Sequence, residues 1–324
     1  MRFKEIVNSG YKDREWIIKD LIPLGEIVIL YAPTDYNKTF LAVKIALEIL
    51  TASQELGVTK YGNVCIFSPD TRMEDLVLRI RGLIKANYEE RRECISENLQ
   101  LEFDEIDLTS DGYQYWYCDA IESEKIGTWE EWGKYDFSDT SGRKPTLLII
   151  DSLSQSIGEN TINDDRAIRI AIRNLKRMIN HSAAGLSILV IAHAGKNPSK
   201  GLMGSSIQKN DVPTVLKIRK TKGNQFELYR EKIKSKASGK SIPFKMREIS
   251  IDGQETLYVD IGTNLNSFEN AVLKHYELGH TKDEIRDIVC ELKLDNTTTR
   301  NSFNVVFNRC WKKLINSGFI KENV

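Results

Sequence analysis

Between residues 21 and 191, short apolar runs alternate with longer patterns of helical spacing. The apolar runs cover residues 26–31, 63–67, 145–151 and 186–191. Runs such as LLII and ILVI are apolar at successive positions, as expected for strands that are buried on both faces. Residues 38–50 and 166–179 lie between these runs and carry apolar side chains at helical spacing. The alternation predicts an α/β fold, in which helices wrap a central, mostly parallel sheet.

The rest of the chain divides into three further segments. Residues 212–259 contain three or four alternating segments, which predict antiparallel strands that finish the sheet. Residues 103–143 are acidic and rich in Trp and Tyr, and we interpret them as an insertion or a peripheral helix–loop unit. The linker-like sequence IGTNLNS then precedes residues 268–324. We therefore expect one domain over residues 1–262 and a smaller, all-α domain over residues 268–324.

Length and charge limit the functions open to the chain. A chain of 324 residues has room for one medium and one small domain, because single cores stop growing near roughly 250–300 residues. The 46 basic and 46 acidic side chains cancel, so no overall field draws the chain onto a polyanion. Because the sequence lacks a signal peptide and an apolar run of ~20 residues, we expect a cytoplasmic protein with no membrane partner. The five cysteines are scattered without ligand spacing, which indicates neither disulfides nor a zinc site.

A predicted strand-to-helix turn carries a phosphate-binding pattern. The strand over residues 26–31 runs directly into APTDYNKT and then into a helix. In the P-loop pattern GxxxxGK[ST], Ala32 and Asn37 replace the two glycines, while Lys38 and Thr39 remain. Asparagine tolerates positive φ well and Ala32 adds one methyl group, so the spacing still predicts a loop that binds phosphate. The candidate nucleotide-binding residues are Ala32, Pro33, Thr34, Asp35, Tyr36, Asn37, Lys38, Thr39 and Phe40.

A second motif supplies a candidate metal ligand. Asp151 ends the apolar run PTLLII about 110 residues after the loop, as in a Walker B strand. In this interpretation Lys38 would pair with the β- and γ-phosphates of ATP, while Thr39 and Asp151 would hold Mg²⁺. The alternatives are a chance Lys-Thr pair in a strand–turn–helix and an exposed aspartate that caps a strand.

These motifs and three further segments together resemble one family. The segments are WIIKDLIPLG before the first strand, LVIAHAGK over residues 189–196, and GSS over residues 204–206. The set resembles the RecA-like ATPases of the RepA type, the hexameric replicative helicases of plasmids and their phage relatives, over roughly residues 16–251. The resemblance implies a RecA-like P-loop NTPase core, ATP and Mg²⁺ as cofactors, a homo-oligomeric ring, with a hexamer favoured, and single-stranded DNA as partner. It also implies that His193 senses the γ-phosphate and that residues 203–206 belong to a loop near the channel of the ring.

Two departures from this family bear on hydrolysis. The family's second strand ends in a glutamate that orients the attacking water, whereas this chain has Pro69 there, with Asp70 or Glu74 as substitutes. Small misplacements of a catalytic group are costly, so we expect weakened turnover. The finger that a neighbouring subunit supplies, Lys-x-Arg in the family, reads Lys-Ser-Lys here, with Lys234 and Lys236. Lysine keeps the charge but not the planar fork of arginine. A solvated strand face is the alternative interpretation of these lysines.

Positive charge is concentrated late in the first domain. Residues 217–245 contain ten Lys and Arg against two Glu, while the segment over residues 103–143 is acidic. This strip predicts a local positive field for phosphate backbones or for an acidic neighbouring subunit. An edge strand with many salt bridges is the alternative.

The C-terminal segment resembles a winged helix-turn-helix domain. Thr281 and Glu284 form a capping box for the second of three helical patterns. The third pattern, over residues 296–317, would be the recognition helix, and residues 318–321 would be the stub of a wing. Arg and Asn are the side chains that read guanine and adenine edges, so one face carries the DNA-binding candidates Arg300, Asn301, Asn304 and Asn308. The buried face would consist of Phe303, Val306, Phe307, Cys310, Trp311 and Leu314. Docking onto this protein itself or onto a partner protein is the alternative.

Three functional hypotheses result. The first is a ring-forming DNA helicase or translocase of plasmid or phage replication that hydrolyses ATP. The second is a nucleotide-gated DNA-binding or adaptor protein with little or no hydrolysis. The third is a protein that binds no nucleotide.

Overall fold

The computed structural model describes most of the chain outside the predicted insertion. The described residues are 14–53, 55–69, 71–102, 108–109, 145–158, 160–182, 185–195, 201–204, 206–234, 241–261, 268, 271–272, 275–276, 280–292 and 300–316. The chain forms two compact units, Met1–Ile261 and Gly262–Val324. The interpretation of residues 103–143 as an insertion lies outside the described residues, apart from 108 and 109.

The first unit contains strands throughout its length and helices between them. Its strands are β1 (Trp16–Ile18), β2 (Ile22–Pro23), β3 (Ile27–Ala32), β4 (Asn63–Phe67), β5 (Leu99–Glu102), β6 (Pro145–Ile150), β7 (Ser187–His193), β8 (Thr214–Lys220), β9 (Gln225–Ile233), β10 (Ser241–Ile251) and β11 (Gln254–Asp260). Its α-helices are α1 (Lys38–Thr51), α2 (Met73–Leu83), α3 (Arg92–Asn98), α4 (Asp165–His181) and α5 (Ile207–Asp211). A π-helical turn (Ile84–Tyr88) follows α2, and 3₁₀ turns cover Glu89–Arg91 and Leu153–Gln155.

A nine-stranded sheet organises this unit within the described residues, in the order β11-β10-β9-β8-β3-β7-β6-β4-β5. The strands from β8 to β5 are parallel neighbours, whereas β8, β9, β10 and β11 pair antiparallel. The strands β1 and β2 form a separate antiparallel pair. The α/β class and the mostly parallel sheet predicted from the sequence are therefore confirmed.

Helices cover both faces of the sheet, which explains the continuous apolar runs. All six residues of β3 are buried. Val28 and Leu30 join the cluster that contains the apolar face of α1, while Ile29 and Tyr31 join the cluster that contains α4. Because successive side chains of a strand point to opposite faces, each strand contributes to both cores.

In the first unit, the predicted boundaries of strands and helices hold to within one or two residues. The strand predicted over residues 63–67 is Asn63–Phe67, and the helix predicted over 38–50 is Lys38–Thr51. The helix predicted over 166–179 is Asp165–His181, which Asp164 caps by accepting from the N–H groups of Arg166 and Ala167. The late segment is antiparallel as expected, except that β8 also pairs in parallel with β3 and so joins the two parts of the sheet.

The second unit contains α6 (Lys282–Glu291) and α7 (Arg300–Asn316). The predicted capping box is confirmed, because Glu284 N–H donates to Thr281 Oγ1 at 3.4 Å and Thr281 N–H donates to Glu284 Oε2 at 2.7 Å. The predicted inner face of α7 is confirmed at Phe303, Phe307, Cys310, Trp311 and Leu314, which are buried, while Val306 packs against the same cluster. The predicted wing over residues 318–321 lies outside the described residues.

Two kinds of feature are absent from the described residues. None of their helices combines the length and hydrophobicity needed to cross a bilayer. They also contain no group of three or more His, Cys, Asp or Glu side chains placed to hold a metal ion.

Candidate functional site

The candidate site lies at the carboxyl edge of the parallel strands, where β3, β7, β6 and β4 end beside one another. Ala32, the last residue of β3, pairs in register with His193, the last residue of β7. Ile150, which ends β6, pairs with Val190 of β7 and with Phe67 of β4. The residues that follow these strands therefore converge at the edge where α/β sheets bind ligands.

The loop between β3 and α1 turns through two residues with positive φ. Asp35 has a φ of 64°, and Asn37, the N-cap of α1, has a φ of 57° and a ψ of 36°. Aspartate and asparagine enter this region more readily than other non-glycine residues, because their short polar side chains can hydrogen-bond locally. The Asn37 carbonyl still accepts from Leu41 N–H at 3.1 Å, as the first turn of α1 requires. The positive φ expected at Asn37 is therefore confirmed.

Lys38 lies beneath this loop. Its ammonium donates to the carbonyl oxygens of Pro33 at 2.9 Å and Ala32 at 3.3 Å. Lys38 is only 9% exposed, and this burial lowers its pKa, while the carboxylates of Asp151 and Asp35 oppose the shift. A partly dehydrated cation inside a loop is well suited to pair with phosphate oxygens, since charge-assisted hydrogen bonds are the stronger ones.

Thr39 and Asp151 meet although 112 residues separate them in the sequence. The Thr39 hydroxyl donates to Asp151 Oδ2 at 2.5 Å. Asp151 directly follows β6, and its main-chain N–H donates to the Phe67 carbonyl at 2.9 Å, which fixes its position beside β4. A hydroxyl and a carboxylate are the oxygen ligands that Mg²⁺ prefers, so this pair fits the metal of a metal–nucleotide complex.

Arg79 on α2 is a member of the site that the sequence analysis missed. Its guanidinium lies 4.8 Å from the centre of the Phe40 ring. Burial lowers the pKa of Arg79, and the Asp151 carboxylate opposes this shift. Two cations, Lys38 and Arg79, therefore interact electrostatically with Asp151. Helical spacing from the apolar stripe of α2 would have placed Arg79 on the inner side of that helix.

Hydrogen bonds at the end of β7 hold the start of the loop, residues 203–206, that was predicted to lie near the channel. The His193 carbonyl accepts from Met203 N–H at 2.8 Å, and Gly195 N–H donates to the Gly201 carbonyl at 3.1 Å. Met203, the first residue of the loop predicted over residues 203–206, is thus tied to the strand that carries the sensor candidate. Residues 196–200, between Gly195 and Gly201, lie outside the described residues.

Gly204, in the GSS segment, occupies a position that excludes side chains. Its φ is 90°, and a Cβ there would lie 2.3 Å from the Ile162 carbonyl oxygen. A side chain would therefore require the backbone at Ile162 to move. Close packing against Ile162 thus explains why this position carries glycine.

The residues that follow β4 include the carboxylates predicted to orient the attacking water. Ser68 follows the strand, and its buried hydroxyl has no hydrogen-bond partner within the described part of the chain. A buried hydroxyl without a partner is unfavourable, which makes Ser68 a hydrogen-bonding group available to a ligand or a water. Glu74 is exposed in the first turn of α2, while Asp70 lies outside the described residues. The roles of Asp70 and Glu74 stay predictions.

The finger candidates fall at the end of β9. Lys234 is exposed, its N–H donates to the Pro213 carbonyl at 2.9 Å, and its carbonyl accepts from Arg14 Nη1 at 2.7 Å. Lys236 lies outside the described residues. The backbone at Lys234 is therefore held in place, and the finger role of both lysines stays a prediction.

The basic strip is partly neutralised where it is described. Within the described residues, Arg219 pairs with Glu227 at 3.5 Å and Arg230 pairs with Asp20 at 4.0 Å, while Glu231 pairs with Lys209, outside the strip, at 2.6 Å. The contacts of Arg219 and Arg230 favour the interpretation as a salt-bridged strand face, although Lys220, the last residue of β8, and Lys222, in the turn that follows, are exposed.

The candidate DNA-reading face of α7 is only partly described. Asn308 is exposed and Asn304 is half-buried, while the side chains of Arg300 and Asn301 lie outside the described residues. Residues 300–316 contain four Lys and Arg and no acidic residue. This charge suits a polyanion, and the DNA-binding role of these residues stays a prediction.

The fold and the loop define the class of protein: a P-loop NTPase with a RecA-like α/β core. A family model described as an AAA domain matches residues 4–199. The chain belongs to this AAA domain family. No curated protein sequence matches the chain significantly.

A solved structure of an ATPase domain supports the fold assignment. It is similar to this chain with a TM-score of 0.50, at 13% sequence identity, over 75% of this chain and 92% of that one. At this identity the likeness concerns the fold, and the RecA-like core predicted from the sequence is confirmed.

Proposed function

We propose that this protein binds ATP with Mg²⁺ in the loop of residues 32–39 and works as a ring-forming DNA helicase or translocase. A hexamer acting on single-stranded DNA in the cytoplasm, in plasmid or phage replication, is the most specific form of the proposal. The observation that carries it is the meeting of Lys38, Thr39 and Asp151 at one strand edge, with Thr39 Oγ1 2.5 Å from Asp151 Oδ2.

The cofactor assignment follows from the chemistry of these side chains. The Lys38 ammonium and the N–H groups at the start of α1 would bind the phosphates. Thr39 and Asp151 would hold Mg²⁺, which when bound neutralises phosphate charge. Arg79 lies close enough to Asp151 for the two charges to interact, and it would orient that carboxylate or a phosphate oxygen.

Hydrolysis would need groups from this subunit and from a neighbouring subunit. His193, at the end of β7, would hydrogen-bond the terminal phosphate, as either imidazole nitrogen can donate. In the resembled family a glutamate stands at the position of Pro69, and Asp70 is the carboxylate nearest to it in the sequence. Lys234 and Lys236 of a neighbouring subunit would supply positive charge, which is why we favour a ring with the nucleotide between subunits.

The second unit would add contacts to DNA. The exposed side of α7 presents Asn308, Arg309 and Lys312, and the whole helix lacks acidic residues. Lysine and arginine contact phosphates, while asparagine can pair with adenine. Together with Arg300, Asn301 and Asn304, these residues would form the DNA-binding face.

A second candidate function is a nucleotide-gated DNA-binding or adaptor protein. Pro69 after β4 favours it, because proline offers no carboxylate to orient a water. Lysine in place of the finger arginine favours it too, because a point charge stabilises a transition state less well than a planar fork.

Steady-state ATP hydrolysis, measured with and without single-stranded DNA, separates the two functions. The motor predicts turnover that DNA stimulates and that Lys38→Ala abolishes. Tight ATP binding without turnover, on and off DNA, would contradict the motor and support the switch. The variant Lys60→Ala, at a half-buried lysine that lies outside these motifs, is the control for general damage.

A further inference from the structure

The phosphate loop carries an aromatic ring, Tyr36, directly before Asn37 and Lys38. The Tyr36 ring packs edge-on against Phe226 of β9, with the ring centres 5.9 Å apart and the planes at 69°. Phe226 in turn stacks on Phe244 of β10, at 5.5 Å and 16°. Three aromatic rings therefore extend from the loop across the antiparallel end of the sheet.

Only one of these three rings offers a surface to a ligand. Phe226 is 4% exposed and Phe244 is 2% exposed, so both belong to the core. The ammonium of Lys220 also lies 5.8 Å from the centre of the Phe226 ring. Tyr36 packs against Phe226 but is only half-buried, so part of its side chain is accessible. The rings beneath it hold Tyr36 in a defined orientation.

We propose that Tyr36 is the stacking platform for the base of the nucleotide whose phosphates the loop holds. This inference rests on the proposed nucleotide site at Lys38. A nucleoside triphosphate carries an aromatic heterocycle within a short distance of its phosphates, and Tyr36 lies two residues from the phosphate-binding lysine. Aromatic side chains stack on any base, because every base has a π-face. The ligand class is a nucleoside triphosphate, rather than an inorganic polyphosphate.

The contact between Tyr36 and Phe226 could instead serve only to anchor the loop. An anchor and a stacking platform make opposite predictions for a ligand without a base. Loss of an anchor weakens every polyphosphate ligand, whereas loss of a platform weakens only ligands with a base.

The test compares ATP with inorganic tripolyphosphate, both with Mg²⁺, by calorimetric titration of the full-length chain. We expect Tyr36→Ala to weaken ATP binding about tenfold or more, and to leave tripolyphosphate binding unchanged. Tyr36→Phe keeps the ring and should bind ATP like the wild type. Tyr36→Leu keeps apolar packing on Phe226 without a ring, so it should lose ATP affinity even if Tyr36→Ala folds poorly.

Two results would overturn the inference. Equal weakening of ATP and tripolyphosphate would assign Tyr36 to anchoring the loop, and unchanged ATP affinity in Tyr36→Ala would remove the platform. Lys38→Ala separates this failure from that of the proposed function, because it should weaken both ligands. If Lys38→Ala leaves both ligands bound as tightly as before, the nucleotide site itself is wrong.

Discussion

At the scale of single residues, the charge of Lys38 decides how well the loop binds phosphate. Burial lowers the pKa of this ammonium, and Asp151 and Asp35 only oppose the shift. Lys38 therefore loses its proton at a lower pH than an exposed lysine does. An uncharged amine no longer makes a charge-assisted hydrogen bond to phosphate.

We accordingly predict that ATP affinity falls as the pH rises. The fall should begin below pH ~10, where an exposed lysine loses its proton. The measurement is the dissociation constant of ATP with Mg²⁺ from roughly pH 7 upwards. Lys38→Arg is the matched control, because a guanidinium stays charged over this range. Parallel pH profiles for the wild type and Lys38→Arg would show that another group causes the loss.

The residues of the site differ in how far sequence could predict them. Asn37 and Lys38 were predictable because the loop is local, and a positive φ follows from a spacing of a few residues. The contact between Thr39 and Asp151 spans 112 residues, so the sequence predicted both residues but not the 2.5 Å hydrogen bond between them. Arg79 was missed because no motif marks it, and its place beside Asp151 depends on how α2 packs.

At the scale of elements, α1 carries a buried ion pair at the end away from the phosphate loop. Lys44 and Glu48 are both fully buried, with Lys44 Nζ 2.9 Å from Glu48 Oε1. Lys44 also contacts Glu55 Oε2 and the Tyr88 hydroxyl, each at 2.6 Å. The Tyr88 hydroxyl donates to Glu48, and burial raises its pKa, so it stays a neutral donor. This network joins α1 to the π-helical turn Ile84–Tyr88.

Removing one partner of this network should destabilise the first unit. Lys44→Met leaves the Glu48 carboxylate buried without its counter-charge, and such changes cost about 3–5 kcal/mol of unfolding free energy. Urea denaturation measures the loss. The double variant Lys44→Met/Glu48→Met removes the unpaired charge, so it should be more stable than Lys44→Met alone. A double variant that is as unstable as the single one would contradict the account.

Some strands could be predicted from the local sequence pattern, whereas others could not. The strand at residues 63–67 was predictable because its apolar run ends sharply on both sides. The short edge strand β5 escaped prediction, since Leu99–Glu102 alternates only over four residues. The parallel pairing of β8 with β3 depends on the direction in which the chain returns to the sheet, which no local pattern records.

At the scale of the whole molecule, the chain has two units with separate cores. The core of the second unit contains Phe268, Val272 and Ile285 together with the buried face of α7. Phe307 is fully buried within it. Because the two cores are separate, damage to one should leave the chemistry of the other largely intact.

Phe307→Ala tests this independence. Truncating a buried phenylalanine costs about 3–5 kcal/mol, enough to unfold a small unit. We expect DNA binding to weaken, while the ATP affinity of the first unit stays unchanged. Gel-shift and nucleotide titrations on the same preparation measure both quantities. The exposed Asn308→Ala should weaken DNA binding without loss of helix content. Loss of ATP affinity in Phe307→Ala would show that the units depend on each other.

The central claim is that Lys38, together with Thr39 and Asp151, forms a site for ATP and Mg²⁺. Thermal unfolding of the full-length chain at increasing ATP, with Mg²⁺ or with a chelator, tests this claim most directly. With Mg²⁺, ligand at a hundred times its dissociation constant should stabilise the wild type and Lys60→Ala by about 2.7 kcal/mol. Lys38→Ala should show no such shift, and the chelator should reduce it in the wild type. Equal stabilisation of Lys38→Ala and the wild type, or none in the wild type at millimolar ATP, would contradict the account.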